Sequence, residues 1–439
     1  MKLLALLTCL AVCAAPIQEK TVSLPAAEAA KLRTLFTEAL AKDEPKTRGA
    51  LTTQAKKLVA KYAFDDLIQA LRAGPLLEKN PAKPRKGPEL HKFGDTTVGY
   101  TFSCEAGVFR YAVDVPPGYD PAQPSPVLLD PGHGTGAGKS DQEKADFLPF
   151  YRGQCAQAGL DNWLIARTEI LEQIGAGGLK GELPEDRVAG VFQLFWRDLA
   201  SRFCIDPDRL YVSGLSQTGF WSWYLGRASG HRYAGIAPMS SVTWQVDPYT
   251  VNFTNLPIFV LHGEKDAICP VSQARGTSER LQRAGMNLKY VEIAGAGHDI
   301  ATWSRLNEGL KWLALKQRAK YPKRSAKAFE TLEDPWCGSL SVEELDALGD
   351  GKAQTRPTAN IEVEIEGQNV KLTSKGVKRA TLYLSRELLD VSKPIEVTWN
   401  GKSAFKGTPE RDFMIALLAA LDRADWTETY ECAIELRCP

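Results

Sequence analysis

The 439-residue chain contains no run of 18 apolar residues, so no segment is expected to cross a membrane as a helix. It also lacks an excess of either charge: 54 Lys and Arg stand against 53 Asp and Glu, a net charge of +1. That balance gives no positive field for a phosphate backbone, and nucleic acid is excluded as a partner. No CxxC pair occurs, which removes the usual zinc and thioredoxin-like spacings, and no metal site is expected. No self-similarity at solenoid spacing is present. Histidine is scarce, at five residues, so any imidazole-based proton transfer has few candidates. What the chain does have is a 44% hydrophobic and 24% charged composition, which suits a large buried core rather than disorder. Its length suits two to four domains.

The first residues read as a transport address. Lys2 supplies a charged start, residues 3–12 are apolar, and Cys13, Ala14 and Ala15 are small, as a signal peptidase requires. Residues 1–15 are expected to be a signal peptide cleaved near Ala14 or Ala15, with the product periplasmic or extracellular. Without Cys9 and Cys13, seven of nine cysteines remain. Disulfides are compatible with export, but an odd count leaves at least one thiol without a partner in the chain. Cys432 and Cys438 flank a final strand and would lie roughly 20 Å apart in it, too far to pair unless the chain turns.

Three regions follow. Residues 16–90 are expected to be a helical segment and a linker. Leu32, Leu35, Phe36, Ala39 and Leu40, then Leu51, Leu58, Leu67, Ile68 and Leu71, recur near a 3.6-residue period, and residues 80–88 are rich in Pro, Lys and Arg. Residues 91–322 alternate short apolar strands with amphipathic helices, the pattern of a mostly parallel sheet covered on both faces. Residues 186–203, 217–227 and 303–317 are the clearest helices there. Residues 323–439 are expected to form a small β-rich domain, with a hairpin at Asn400-Gly401 and one helix over 412–423.

The chemistry concentrates in the middle region. Leu210-Tyr211-Val212 runs into Ser213-Gly214-Leu215-Ser216-Gln217-Thr218-Gly219 and then into a helix. A tight strand-to-helix turn lifts a serine hydroxyl above the sheet edge, at the positive end of the helix. Thr218 stands where glycine is commoner, with Gly219 directly after it. A serine hydroxyl needs a base, and His298 follows the last strand of this region in Gly295-Ala296-Gly297-His298. The base needs a carboxylate to fix its tautomer. Asp266, after the strand over 258–261, is the candidate, with Glu264 and Asp247 as rivals. His133 and His262, each after an apolar run and before a glycine, read as loop-shaping residues. The Gly-rich loop at Gly132-His133-Gly134-Thr135-Gly136 offers backbone donors for an oxyanion, with the N–H of Thr135 and that of Gln217 as the pair. The same loop ends in Gly138-Lys139-Ser140, but His133 stands where a phosphate-binding loop requires glycine. Trp244 is a candidate wall for the substrate, with Trp163 and Trp303 as others. Cys269 falls close to Asp266 but lacks a strand-to-helix turn of its own. Tyr383, Trp399 and Trp426 either bind a polymer or fill a core.

These motifs, together with Ile205-Asp206-Pro207-Asp208-Arg209 and Leu261-His262-Gly263, resemble secreted α/β-hydrolases over about residues 96–318. The likeness is to the prolyl-oligopeptidase-like and carboxylesterase-like branch that includes feruloyl esterases and polyhydroxyalkanoate depolymerases. It implies an α/β-hydrolase core and a secreted serine hydrolase. Catalysis would use Ser216, Asp266 and His298 on small-molecule or polymeric carboxylic esters, with no cofactor. A serine peptidase on the same fold, and a binding protein that keeps the fold without turnover, are the alternatives. The C-terminal region is similar to small domains appended to such enzymes.

Overall fold

The computed structural model describes residues 22–42, 44–77, 97–104, 106–132, 147–173, 188–346 and 357–439. The expected signal peptide, the linker over 80–88, and the loop carrying His133, Thr135 and Lys139 lie outside these residues.

Three helices open the described chain: α1 (Ala26–Ala41), α2 (Pro45–Val59) and α3 (Phe64–Arg72). Pro45 begins α2 rather than breaking it, because the first helical N–H has no intrahelical acceptor to lose. Glu44 and Thr47 close that end with a reciprocal cap. The stripe of Leu32, Phe36, Ala39 and Leu40 on α1 is buried, as are Leu51 and Leu58 on α2 and Leu67, Ile68 and Leu71 on α3.

The central sheet has eight strands: β1 (Thr97–Cys104), β2 (Gly107–Asp114), β3 (Ser125–Asp130), β4 (Leu164–Thr168), β5 (Ile205–Leu215), β6 (Gly235–Met239), β7 (Ile258–Gly263) and β8 (Leu288–Ile293). Their order is β1-β2-β4-β3-β5-β6-β7-β8. β1 and β2 are antiparallel to their neighbours, and β4 to β8 are all parallel. Every residue of β3, β4, β6 and β7 is buried, as expected of strands covered on both faces. The two-residue period divides them between two cores. Val127, Leu129, Val212, Ile236 and Val260 face one layer. Leu128, Tyr211, Ala237, Phe259 and Leu261 face the other.

The helices of this region are α4 (Phe147–Ala158), α5 (Ile170–Gln173), α6 (Val188–Ala200), α7 (Gln217–Ser229), α8 (Val271–Arg283), α9 (Ile300–Trp303) and α10 (Leu306–Leu313). α4 and α10 cover the second face, while α6 and α7 cover the first together with α1 to α3. The helix expected over 303–317 is shorter, Leu306–Leu313, and a separate single turn, Ile300–Trp303, precedes it. Ser304 and Arg305 turn the chain between them, so Trp303 stays at the sheet edge while Leu306, Leu310 and Leu313 go beneath the sheet.

Beyond residue 323 lie two small sheets. One joins β9 (Arg324–Phe329), β12 (Ala359–Glu366), β13 (Asn369–Lys375), β15 (Ile395–Trp399) and β16 (Lys402–Gly407). The other joins β10 (Trp336–Cys337), β11 (Leu340–Leu345), β14 (Val377–Leu384) and β17 (Cys432–Arg437). Asn400 and Gly401 both have positive φ, 49° and 78°, as a two-residue hairpin turn demands. Trp399 and Trp426 are buried and Tyr383 packs 4.8 Å from Trp336, so all three fill cores. The helix of this region, α11 (Phe413–Arg423), is capped by Asp412 and shares a core with α1 to α3 and α6. The cysteines at 104, 155, 204, 269, 337, 432 and 438 are all free thiols.

Candidate active site

Ser216 sits between the end of β5 and the start of α7 with φ 54° and ψ −116°, a region that non-glycine residues avoid. The surroundings hold it there. Its N–H donates to the Met239 carbonyl at the end of β6 (2.9 Å), and its carbonyl accepts from the Phe220 N–H (3.0 Å). The turn is so tight that a Cβ on Gly214 would lie 2.2 Å from the Thr218 carbonyl oxygen. On the far side, a Cβ on Gly219 would lie 2.8 Å from the Met239 oxygen. The close approach usually made two residues after the serine is thus made three residues after it. Thr218, which read as a departure, has a structural use. Its Oγ1 accepts from the Leu215 N–H (2.7 Å) and donates to the Leu215 carbonyl (3.0 Å), clasping the turn across its neck.

Asp266 and His298 meet across the carboxyl ends of β7 and β8. His298 Nδ1 lies 2.8 Å from Asp266 Oδ2, and the carboxylate side chain has no exposed surface. An ionised carboxylate only accepts, so this contact places the imidazole proton on Nδ1 and leaves Nε2 as the acceptor. The other oxygen, Oδ1, takes the N–H groups of Ile268 (2.9 Å) and Cys269 (2.8 Å). All the carboxylate's near partners are donors, which fixes its rotation as well as its position.

Gly263, the last residue of β7, explains how the two loops come so close. A Cβ there would lie 2.4 Å from the Gly297 carbonyl oxygen and 2.7 Å from that of Ala296. The Lys265 N–H donates to the Ala296 carbonyl (2.8 Å) and the Thr302 hydroxyl to the Gly297 carbonyl (2.9 Å). The two rival carboxylates are engaged elsewhere. Glu264 accepts from the Gly295 N–H (2.7 Å), and Asp247 pairs with Arg280 (2.7 Å) on the surface.

Two side chains contribute in roles that the sequence reading does not give them. His262 is buried, with Nε2 2.8 Å from the Cys269 carbonyl and 3.4 Å from Asp266 Oδ2. Burial holds its pKa below the ordinary value, so it stays neutral and donates to that carbonyl, pinning the turn that presents Asp266. The sequence hint was only its place four residues before Asp266. Trp303 stands edge-on to the His298 ring, centroids 5.6 Å apart and planes at 88°. Its Nε1 donates to the hydroxyl of Ser240 (3.3 Å), a residue also held at positive φ, 44°. Burial pushes the Cys269 thiol up to about 11, so little thiolate forms at neutral pH.

Gln217 is the first residue of α7, at the positive pole of its dipole, and Thr135 lies outside the described residues. Trp244 packs on Phe220 of α7 (5.5 Å) and remains 44% exposed. Trp163 is buried and stacked on Tyr211 (4.6 Å, 6°) in the second core, away from the site. Among the described residues no group of three or more His, Cys, Asp or Glu is arranged to hold a metal ion, and no helix is long and apolar enough to cross a membrane.

A family model described as phospholipase/carboxylesterase matches residues 191–306. Acyl-protein thioesterase 1 of Neurospora crassa is 27% identical over 115 residues, covering 24% of this chain and 47% of that protein. An uncharacterized peptidase, YuxL, of Bacillus subtilis is 25% identical over 143 residues, 25% of this chain and 21% of that protein. The chain thus spans less than half the length of these curated relatives. Among solved structures, a thermostable esterase aligns with TM-score 0.42 and 18% identity, over 51% of this chain and 64% of that one. A ferulic acid esterase from Anaeromyces mucronatus aligns with TM-score 0.38 and 15% identity, over 55% and 98%. The eight-stranded sheet with its covering helices is an α/β-hydrolase core, and the chain is carboxylesterase-like over the matched segment.

Proposed function

We propose that this α/β-hydrolase is a secreted serine hydrolase that cleaves carboxylic esters through an acyl-enzyme. The observation that carries the reading is the 2.8 Å contact of Asp266 with His298, set two strands along the same sheet edge from a serine in a strained turn. In the proposed cycle His298 Nε2 takes the Ser216 proton as Oγ attacks the ester carbonyl. The tetrahedral oxyanion is stabilised by the backbone N–H groups of Gln217 and Thr135. Its collapse breaks the bond to the alcohol oxygen, which leaves with the proton from His298. Water, deprotonated by the same imidazole, then attacks the acyl-serine and releases the acid. Asp266 keeps its charge throughout and stabilises the imidazolium.

Three exposed apolar side chains follow the three strands nearest this edge: Trp244 after β6, Ile268 after β7 and Ile300 after β8, the isoleucines 70% and 61% exposed. Each isoleucine is two residues beyond a proposed triad member. They support a substrate with an apolar acyl or aryl part lying across the rim.

A fluorophosphonate probe tests the reading. Stoichiometric labelling of the folded protein that is abolished in Ser216→Ala supports it, whereas absence of labelling makes the chain a binding protein on this fold. A panel of aryl esters, acyl esters and peptides then separates esterase from peptidase. Turnover of peptides alone would overturn the ester assignment.

A further inference from the structure

A second cleft lies far along the chain from this site, where residues 227–256 meet the C-terminal region. Arg227, His231, Asn252, Lys327, Trp336 and Arg423 are among its lining, around a small cavity of about 40 Å³. Two of these side chains carry buried polar atoms with no protein partner. Arg423, only 2% exposed, uses Nη2 on Glu428 (2.5 Å), while its Nε and Nη1 have no acceptor. Its guanidinium carbon lies 4.8 Å from the Trp336 ring centre and 5.3 Å from that of Tyr430. His231 Nε2 is likewise buried and unpartnered, and its Nδ1 is 3.9 Å from Asp334, beyond hydrogen-bond reach.

The nearby acceptors are already engaged. Asp334 takes the Ser229 hydroxyl (2.5 Å) and the Trp336 N–H (3.2 Å). Glu428 takes Arg318 (2.9 Å), Arg423 and the Tyr321 N–H (2.6 Å). Lys327 spends its three protons on the carbonyls of Ala228, Asp334 and Trp336. The charged side chains lining the cleft are Arg227, Lys327 and Arg423 against Glu428, with Asp425, already bound to Arg318 (2.8 Å), a further 3.5 Å from Arg423 Nη2. Three hydrogens on a buried guanidinium without an acceptor cost several kcal/mol unless something outside the chain accepts them (roughly 1–3 kcal/mol per group). Water would supply the acceptors but not offset the surplus positive charge. An oxyanion supplies both.

We infer that this cleft is a binding site for a small inorganic oxyanion of the phosphate class, held by Arg423 with His231 at its side. The site is separate from the proposed catalytic edge, and its test does not use activity. Thermal unfolding of the full chain is followed against inorganic phosphate, with sodium chloride keeping ionic strength constant. The expected result is a saturable rise in Tm, distinct from the linear, unsaturable rise that excluded anions give any protein. Arg423→Lys keeps the charge but removes the idle N–H groups, and is expected to weaken apparent affinity about tenfold. His231→Phe keeps the ring and removes Nε2, and is expected to weaken it as well. A linear response in the wild type, meaning that only water occupies the cleft, overturns the inference. So does saturation unchanged in both variants. Should Arg423→Lys fail to fold, His231→Phe decides.

Discussion

At the scale of single residues, the proposed role of Asp266 makes a sharp forecast. Asp266→Asn keeps the shape but presents an amide N–H or a weaker acceptor to His298, and favours the wrong tautomer. The loss in kcat is expected to be about 10³–10⁴-fold, roughly 4–5.5 kcal/mol of transition-state stabilisation. Glu264→Gln and Asp247→Asn are expected to lose less than about tenfold, since their partners are Gly295 and Arg280 rather than an imidazole. Steady-state kinetics of the three variants on one activated ester check this. A crippled Asp247→Asn beside an active Asp266→Asn would move the acid to another strand. Much at this scale was legible in the sequence. Ser216, Asp266 and His298 each stand just past an apolar strand, and parallel strands deliver such residues to one edge. Trp303 and His262 were not legible in their roles. Their contacts depend on how two loops fold over each other, and no periodicity encodes that. Thr218 looked like a blemish because its hydroxyl finds Leu215 only once the turn is closed.

At the scale of elements, β7 and the loop after β8 are in contact because Gly263 has no side chain. Gly263→Ala would place a methyl 2.4 Å from the Gly297 oxygen, and neither backbone yields without moving His298. If His298 is the proposed base, the expected outcome is a kcat lowered about 100-fold, the usual consequence of displacing a catalytic group by an ångström, with about 1–3 kcal/mol of stability lost to overpacking. Kinetics and denaturant unfolding on the same preparation measure both. A variant with wild-type kcat would show that the loops have slack. The sequence showed these elements well where a period of two or 3.6 persists, as in β12, β13 and α11. It failed where a helix is cut short without a proline or glycine at its ends: residues 303–317 carry one continuous pattern, but the helix runs only over Leu306–Leu313, and Ser304 and Arg305 turn the chain ahead of it.

For the whole molecule, acid sensitivity follows from the buried histidines. Burial lowers the His231 pKa to about 3, against an ordinary value near 6.5, with Lys327, Arg232 and Arg423 adding to the effect and Asp334 opposing it. Between those values the unfolded chain binds a proton that the folded chain refuses, so stability falls as pH drops below about 6.5. From pH 7 to pH 5 the His231 contribution is about 2 kcal/mol lost, at 1.36 kcal/mol per pKa unit. His262, also lowered by burial, acts in the same direction. Asp334, held low by its cationic neighbours, matters only below the ordinary carboxylate range and leaves this window alone. Urea unfolding of the wild type and His231→Phe at pH 7 and pH 5 is expected to show a smaller pH dependence in the variant. Equal slopes would mean that His231 is protonated in the folded state.

The sequence gives no clue to which core α11 joins, because an amphipathic stripe states that a face is buried but not against what. Its place has a consequence in time. Arg48 bridges to Asp422 and Arg386 to Asp65, pairs separated by 374 and 321 positions. A chain emerging from a ribosome or a translocation pore releases α1 to α3 first, and these helices must wait for nearly the whole remaining polypeptide before Phe413, Leu417 and Leu421 arrive to seal them. Closing so wide a loop is a late event that nothing local can hasten. Until then these three helices, which appear long before the helix that seals them, stay exposed to proteases and chaperones.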